Sequence, residues 1–153
     1  MFSHIQKDRA RMVDISDKKD VARRAVACGE IQLQPKTIEA IKSRQIVKGE
    51  VLETARIAAV MAVKNTSSVI PMCHQIPVTS TDVQFEIGIE AIRATVEVKS
   101  VGKTGVEMEA LHGVSVALLT IWDMVKSAEK DETGNYPFTG IKGIRVLEKS
   151  KNE

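Results

Sequence analysis

The sequence is poor in aromatic residues, in cysteine and in net charge, and each shortage narrows the class of protein. Aromatic residues make up 3% of the 153 residues, too few for the stacking platforms that hold single-stranded nucleic acid. The net charge of +2 gives no electrostatic case for a nucleic-acid or membrane surface. The two cysteines, Cys28 and Cys73, cannot form a disulfide framework, so we expect a reducing, cytoplasmic compartment.

No stretch has the length and apolarity expected of a membrane span or of a signal peptide, and no repeat or linker divides the chain. With 43% hydrophobic and 27% charged residues, the composition is that of a soluble globular protein. The length predicts a single domain over residues 1–153. Residues 1–12 are mostly polar, and we expect them to be a flexible N-terminal segment.

The pattern of apolar residues predicts an α+β protein. The predicted elements are a strand over 24–33, helices over 36–43 and 50–64, strands over 81–90 and 91–99, a long helix within 103–130 and a strand over 141–148. Pro71 and Pro77 bracket an extended segment. The order β-α-α-β-β-α-β indicates a ferredoxin-like antiparallel sheet with helices packed on one face. If the other face is apolar, it is an assembly surface, and we therefore expect an oligomer.

The long helix is the element around which the chain is organised. Its apolar residues recur at steps of three and four and form one stripe: Val106, Ala110, Val114, Ala117, Leu118, Ile121 and Val125. Glu109, His112 and Asp123 fall near one helical azimuth, and Lys126 lies one turn further on. An ordinary surface ion pair is the common explanation for Asp123 and Lys126. Their apolar neighbours predict instead an enclosed, functional pair, whereas His112 is expected to be exposed.

Two further features admit both a ligand-binding and a structural interpretation. Cys73 and His74 are adjacent in an extended segment and point to opposite sides, which argues against a catalytic dyad. His74 is then either a ligand contact or a structural histidine. The turn 102–105 before the long helix lacks the first glycine of a phosphate loop, so it is either an anion site or a capped turn.

Basic residues near the ends of predicted elements are the remaining candidates. Lys48 precedes Gly49 at the start of the second helix and is either solvated or a phosphate contact. Arg23 and Arg24 are consecutive on a strand, so one guanidinium lies on each face. The three histidines and two cysteines show no zinc-ligand spacing, and no carboxylate cluster requires a metal ion.

Three stretches carry a resemblance to a known family: PMCHQIP, GKTGVEMEALHGVSVALLTIWDMVK and KGEVLETARIAAVMAVKNT. The chain, over residues 12–149, resembles the MoaC family, the C proteins of molybdenum-cofactor biosynthesis. The resemblance implies a ferredoxin-like fold and cyclic pyranopterin monophosphate synthase activity. That reaction, of the lyase class, converts 3′,8-cyclo-7,8-dihydroguanosine triphosphate to cyclic pyranopterin monophosphate with release of diphosphate. The resemblance also implies a homohexamer, a trimer of dimers with the active site between subunits.

The resemblance assigns roles residue by residue. It implies that Asp123 and Lys126 are catalytic, and that the substrate-binding residues are Met72, Cys73, His74, Met108, Glu109, Lys48 and Arg24. It implies no resident cofactor, although Mg²⁺ could arrive with the polyphosphate. Gln75 and Ile76 depart from the proline and leucine that often follow the Cys-His pair, and the tail after Glu148 lacks the family's glycine-rich ending. Without the resemblance, an oligomeric ferredoxin-like regulatory domain that binds a small molecule is the alternative.

Overall fold

The computed structural model describes residues 5–6 and 9–152. The strands are β1 (Ile5–Gln6), β2 (Arg9–Ala10), β3 (Val21–Gln32), β4 (Val78–Ile87), β5 (Ala91–Gly102) and β6 (Gly140–Asn152). The helices are α1 (Pro35–Lys42), α2 (Val51–Lys64), α3 (Thr66–Val69) and α4 (Glu107–Glu129). Part of the segment 1–12, which we expect to be flexible, lies outside the described residues.

The four long strands form one antiparallel sheet in the spatial order β4-β5-β3-β6. The first of them in the chain, β3, is therefore central and pairs with both β5 and β6. Helices α1 and α2 lead from β3 to β4, and α4 leads from β5 to β6. This connectivity is that of the split β-α-β ferredoxin-like fold, so the predicted fold class is confirmed. The short strands β1 and β2 form a separate two-stranded ladder.

The core lies between the sheet and α4. Every residue of the predicted apolar stripe of α4 is buried, and the alternating residues Ile92, Ala94, Val96 and Val98 of β5 face it. Small residues let α2 pack closely on α4: a β-carbon at Gly113 would lie 2.9 Å from Val63 Cγ2 and 3.6 Å from Ala59 O. The position of α4 over the sheet therefore depends on side-chain size at this crossing.

The structure differs from the predicted boundaries where short elements or charged ends obscure the pattern. Helix α3 was not predicted; it is a single turn that follows the end of α2 and stops before Pro71. Ile89 falls within the predicted strand 81–90, but it lies in the turn between β4 and β5 and is 81% exposed. Strand β6 continues to Asn152, because its charged tail pairs with the first residues of β3.

Helix α4 is, by length and composition alone, long and apolar enough to cross a membrane. This helix departs from the expectation that no stretch has the length and apolarity of a membrane span. Half of its most apolar window is buried inside this one chain, and its stripe packs on the sheet. A buried core helix meets the same criterion, and packing against β3, β5 and β6 accounts for the apolarity of α4.

The sheet face away from the helices is polar as well as apolar. Arg24 lies there with Glu97 and Glu148 on the two neighbouring strands, at 2.6 and 2.5 Å. Val26 and Thr95 line the same shallow cavity. We expected an oligomer if this face were apolar. Because charged side chains lie on it, the face itself gives little support for an oligomer.

A fully buried carboxyl group joins the end of α4 to two other parts of the chain. Glu129 accepts hydrogen bonds from Thr37 Oγ1, from Thr139 Oγ1 at 2.6 Å and from the backbone N–H of Gln34 at 3.2 Å. The Gln34 side chain also donates to Glu129 O at 3.2 Å. Glu129 thus fixes the start of α1 and the start of β6 to the last turn of α4.

Replacing Glu129 by Ala is expected to destabilise the protein by about 3–5 kcal/mol, because the buried donors lose their acceptor and a cavity remains. Urea unfolding monitored by circular dichroism measures this loss. The exposed neighbour in the following loop provides the control, since Glu132→Ala should change the free energy of unfolding by about 0.5 kcal/mol or less. Equal midpoints for the two variants would contradict the anchoring role.

Candidate active site

The first part of the candidate site lies at the start of α4. The segment Met72–His74 passes beside the first turn of α4 and lines a cavity of about 380 Å³ with Met108 and Glu107. We call this the Cys-His cavity. The structure therefore brings together four of the residues implied by the resemblance, Met72, Cys73, His74 and Met108. The wall is completed by Thr104 and Gly105 of the turn before α4.

Glu109 does not line the Cys-His cavity but a second cavity of about 500 Å³, which we call the Glu109 cavity. Lys64, Thr66 and Gln75 are among its other lining residues. Glu109 is only 3% exposed, and within residues 9–152 it has no ion-pair partner. Burial raises the pKa of this carboxyl, with a smaller contribution from Glu107. A buried acceptor of this kind suits a ligand that offers N–H groups.

Glu109→Gln is expected to stabilise the protein increasingly as the pH rises. Because the pKa of Glu109 is raised by folding, the native state binds this proton more tightly than the unfolded chain does. Its contribution to stability is therefore present below the unfolded pKa of about 4.3 and is lost as the pH rises through the folded value. Thermal unfolding at a series of pH values tests this.

The two melting curves should nearly coincide at about pH 4, and the Gln variant should melt higher at neutral pH. Glu132→Gln, which removes an exposed charge, is the matched control and should show no such divergence. A Gln variant that is less stable at neutral pH would mean that the Glu109 carboxylate is paired in the native protein.

The surroundings of Cys73 and His74 give a catalytic dyad no support. Burial, followed by the negative charges of Glu109 and Glu107, raises the pKa of the Cys73 thiol, whereas a nucleophile needs the thiolate. His74 Nε2 is hydrogen-bonded to the carbonyl oxygen of Val13 at 2.6 Å. The sequence argument against a dyad agrees with this geometry.

A third cavity, of about 340 Å³, is lined by basic side chains, and we call it the basic cavity. Its cationic residues come from the segment before β3, from β3 itself and from the end of β6: Lys18, Arg23, Arg24, Lys149 and Lys151. It shares Thr104, Gly105 and Glu107 with the Cys-His cavity, so the two adjoin. The nearby start of α4 adds the positive end of the helix dipole. The sequence left the turn 102–105 as either an anion site or a capped turn. The basic side chains around it favour the anion site.

Gly105 lies at the wall between these two cavities. A β-carbon at this position would collide with the carboxyl of Glu107, which folds back over Gly105. The same carboxyl lies 3.7 Å from Lys149 Nζ. A larger residue at position 105 would therefore displace the Glu107 side chain.

The sequence pattern left both Arg23 and Arg24 as candidates, and the resemblance implied Arg24. Both line the basic cavity, but Arg24 is paired with Glu148 and Glu97, which raise the pKa of its guanidinium. Arg23 donates through Nε to Gly102 O at 3.0 Å, at the start of the turn that leads to α4. A substrate-binding role for Arg24 stays a prediction. Arg23 has no carboxylate partner among the residues described.

The second part of the candidate site lies in the last turns of α4. Asp123 is held between two lysines, with Lys48 Nζ at 3.0 Å from Oδ2 and Lys126 Nζ at 3.1 Å from Oδ1. Lys48 Nζ also donates to Asp123 O at 3.2 Å. Gly49, at φ +105°, makes the turn next to Lys48. The sequence placed Lys48 in the site, but nothing in it indicated contact with Asp123.

The expectation that Asp123 and Lys126 are enclosed by apolar neighbours is wrong for the single chain. Their side chains are 56% and 45% exposed, because the stripe of α4 that faces the core excludes both. The hydrogen bonds from Lys48 and then Lys126 lower the pKa of Asp123. One carboxylate between two ammonium groups leaves a net positive cluster open to solvent, which is suited to an anionic ligand.

The two parts of the site are well separated within one chain. Asp123 lies fourteen residues beyond Glu109 in α4, which is about 21 Å along the helix axis. A shared azimuth therefore does not bring Glu109 and Asp123 into one cluster. His112 is not exposed as predicted: its Nδ1 lies 2.9 Å from Ala62 O and 3.1 Å from Thr66 Oγ1, so it joins α4 to the end of α2.

Sequence reasoning missed three residues of the basic cavity: Lys18, Lys149 and Lys151. The pairing of β3 with β6 would have indicated this cavity, because it places Arg23 opposite Lys151. That pairing depends on the extent of β6, which was predicted to end earlier. In residues 5–6 and 9–152 there is no group of three or more His, Cys, Asp or Glu that could hold a metal ion.

The fold and the cavities define a ferredoxin-like α+β protein with a cation-rich small-molecule site beside the start of its long helix. The chain belongs to the MoaC family, whose model matches residues 12–152. A relative from Methanosarcina mazei is 66% identical over 152 residues, covering 99% of this chain and 97% of the relative. A relative from Archaeoglobus fulgidus is 61% identical over 150 residues, with 98% and 96% covered. Both carry the name probable cyclic pyranopterin monophosphate synthase.

Proposed function

We propose that this protein is a cyclic pyranopterin monophosphate synthase, a lyase of molybdenum-cofactor biosynthesis. It converts 3′,8-cyclo-7,8-dihydroguanosine triphosphate to cyclic pyranopterin monophosphate and releases diphosphate. The observation that carries the proposal is the contiguity of the basic cavity and the Cys-His cavity in a member of this family. A nucleoside triphosphate needs such neighbouring cation-lined and less polar spaces.

The substrate is bound from both sides of the shared wall. Its phosphates lie among the basic residues, where guanidinium groups give bidentate contacts and ammonium groups give point charge. Its ring system lies against Met72, Cys73, His74 and Met108. Glu109 offers a buried acceptor to the ring N–H groups from the adjacent cavity.

Asp123 and Lys126 act together in proton transfer. Lys126 gives and takes protons at the substrate ring, and Asp123 orients it through their ion pair. A ribose hydroxyl then attacks the α-phosphorus. The new P–O bond closes the cyclic phosphate, the bond to the β-phosphate oxygen breaks, and the hydroxyl proton passes to a base. The departing diphosphate is stabilised by cations such as Lys48.

The active site is completed by a second copy of the chain. One chain holds its catalytic pair about 21 Å from Glu109, far beyond the roughly 3 Å reach of proton transfer. An arrangement in which each subunit supplies one part to its neighbour brings them together. We propose a homohexamer built as a trimer of dimers, with the site at the dimer interface, in the cytoplasm. The enzyme needs no resident cofactor, and Mg²⁺ would arrive with the polyphosphate.

Single-turnover conversion of the cyclic dihydroguanosine triphosphate, with diphosphate measured by a coupled assay, tests the function. We expect stoichiometric diphosphate release and a product with one cyclic phosphate. Guanosine triphosphate, which lacks the 3′,8 bond, is the control and should release none. Tight binding of the substrate without diphosphate release would favour the alternative, an oligomeric ferredoxin-like regulatory domain.

A further inference from the structure

The His74 ring makes one hydrogen bond within residues 9–152, and it involves a backbone group. Nε2 lies 2.6 Å from the carbonyl oxygen of Val13. A carbonyl only accepts, so Nε2 carries a proton in this contact. In the neutral ring, the lone pair that can accept a proton is then on Nδ1.

Val13 belongs to a segment without regular structure, residues 11–20, which we call the strap. The strap connects β2 to β3 and is tied at two places. At one end it accepts the His74 hydrogen bond, and at the other Lys103 Nζ donates to Lys18 O at 2.8 Å. Lys103 lies in the turn before α4, and Lys18 lines the basic cavity. The strap thus extends from the Cys-His cavity to the basic cavity.

A local turn sets the shape of the strap next to Val13. Asp14 Oδ1 accepts the backbone N–H of Ser16 at 2.9 Å, and Lys18 N donates to Ile15 O at 3.0 Å. The Ser16 hydrogen bonds lower the pKa of Asp14, and His74 is among the smaller contributions. Sequence-local bonds therefore fix the direction in which the Val13 carbonyl points.

We propose that the backbone carbonyl of Val13 is a positioning group for catalysis. By accepting the Nε2–H of His74, it fixes the imidazole at the wall of the Cys-His cavity and leaves Nδ1 as the nitrogen that exchanges a proton with the substrate. The catalytic part of this inference rests on the proposed function. The hydrogen bond and the resulting tautomer rest on the geometry of the chain alone.

The test loosens the strap in the full-length chain. Val13→Gly combined with Asp14→Gly frees the backbone and removes the turn acceptor. Val13→Ala combined with Asp14→Asn is the matched control, because it keeps both the backbone restriction and the side-chain oxygen. Ring protons of the three histidines are followed by NMR in histidine-labelled protein, with His74→Ala giving the assignment.

We expect a slowly exchanging Nε2 proton of His74 in the parent and in the control, and its loss in the Gly-Gly variant. The Gly-Gly variant should also lose about tenfold in kcat with little change in KM, since contacts with the substrate remain. In a His74→Ala background the same two glycines should lower kcat no further, because the strap acts through His74. Unchanged melting temperature and assembly exclude a general loss of structure.

Three outcomes would overturn the inference: an unchanged kcat after loss of the ring proton, an equal fall in kcat in the His74→Ala background, or a rise in kcat. The last would show that the contact closes the site and must break for turnover. If the parent releases no diphosphate, the proposed function fails. The ring proton in the two strap variants would still show whether Val13 holds His74.

Discussion

Replacing Asp123 by Asn is expected to lower kcat by about 10²–10⁴-fold while leaving the fold and the assembly unchanged. The amide cannot attract Lys48 and Lys126 as the carboxylate does, and both ammonium groups then lose their shared counter-charge. Because Asp123 is exposed in the chain and lies off the core stripe, its charge contributes little to the stability of the subunit.

Single-turnover diphosphate release measures the effect, with size-exclusion chromatography to confirm the assembly. Lys126→Ala should reduce the rate to a similar degree, and the double variant should be hardly slower than either single one, because the pair acts as a unit. Glu132→Gln removes an exposed negative charge beyond the end of α4 and should keep the full rate. A fully active Asp123→Asn chain would remove the pair from the mechanism and direct attention to His74.

The fold could be predicted from the sequence because its strongest patterns are local. The stripe of α4 and the alternation of β5 are long, regular and buried as predicted. The elements that were missed are those with few residues or with unfavourable composition. The ladder of β1 and β2 has two residues in each strand, and the charged end of β6 is a strand only because β3 lies beside it.

The candidate site was less predictable, because its contacts join distant parts of the chain. Helical geometry predicted the Asp123–Lys126 pair, which is formed at 3.1 Å. Lys48 reaches the same carboxylate from a loop 75 residues earlier, and no local pattern signals that contact. The basic cavity likewise combines residues from before β3 with the end of β6.

Helical periodicity also misled where it was applied over too long a distance. Glu109 and Asp123 share an azimuth, but a helix separates residues along its axis as well as around it. Glu109 is buried at the Glu109 cavity near the start of α4, and Asp123 is exposed near the opposite end of the helix. For the proposed reaction, this separation favours an active site shared between two chains, and that arrangement leads to the second large effect.

Mixing two inactive variants is expected to restore activity. Asp123→Asn removes the carboxylate of the catalytic pair, and His74→Ala removes the imidazole from the Cys-His cavity. If each site takes these parts from different subunits, a dimer of one chain of each kind has one doubly altered site and one intact site. Random pairing in equal amounts then restores about a quarter of the parent activity.

Co-expression of the two chains with different affinity tags, followed by sequential purification, isolates the mixed assemblies. Their diphosphate release is compared with that of each variant alone. As a control, a chain that carries both substitutions is mixed with the parent in the same way. With random pairing it should retain about a quarter of the parent activity if the sites are shared, and about half if each site lies within one chain. Mixed assemblies no more active than the single variants would place Asp123 and His74 in the same subunit's site. The two parts of the site could then meet on one substrate only if the chain changed its conformation strongly on binding.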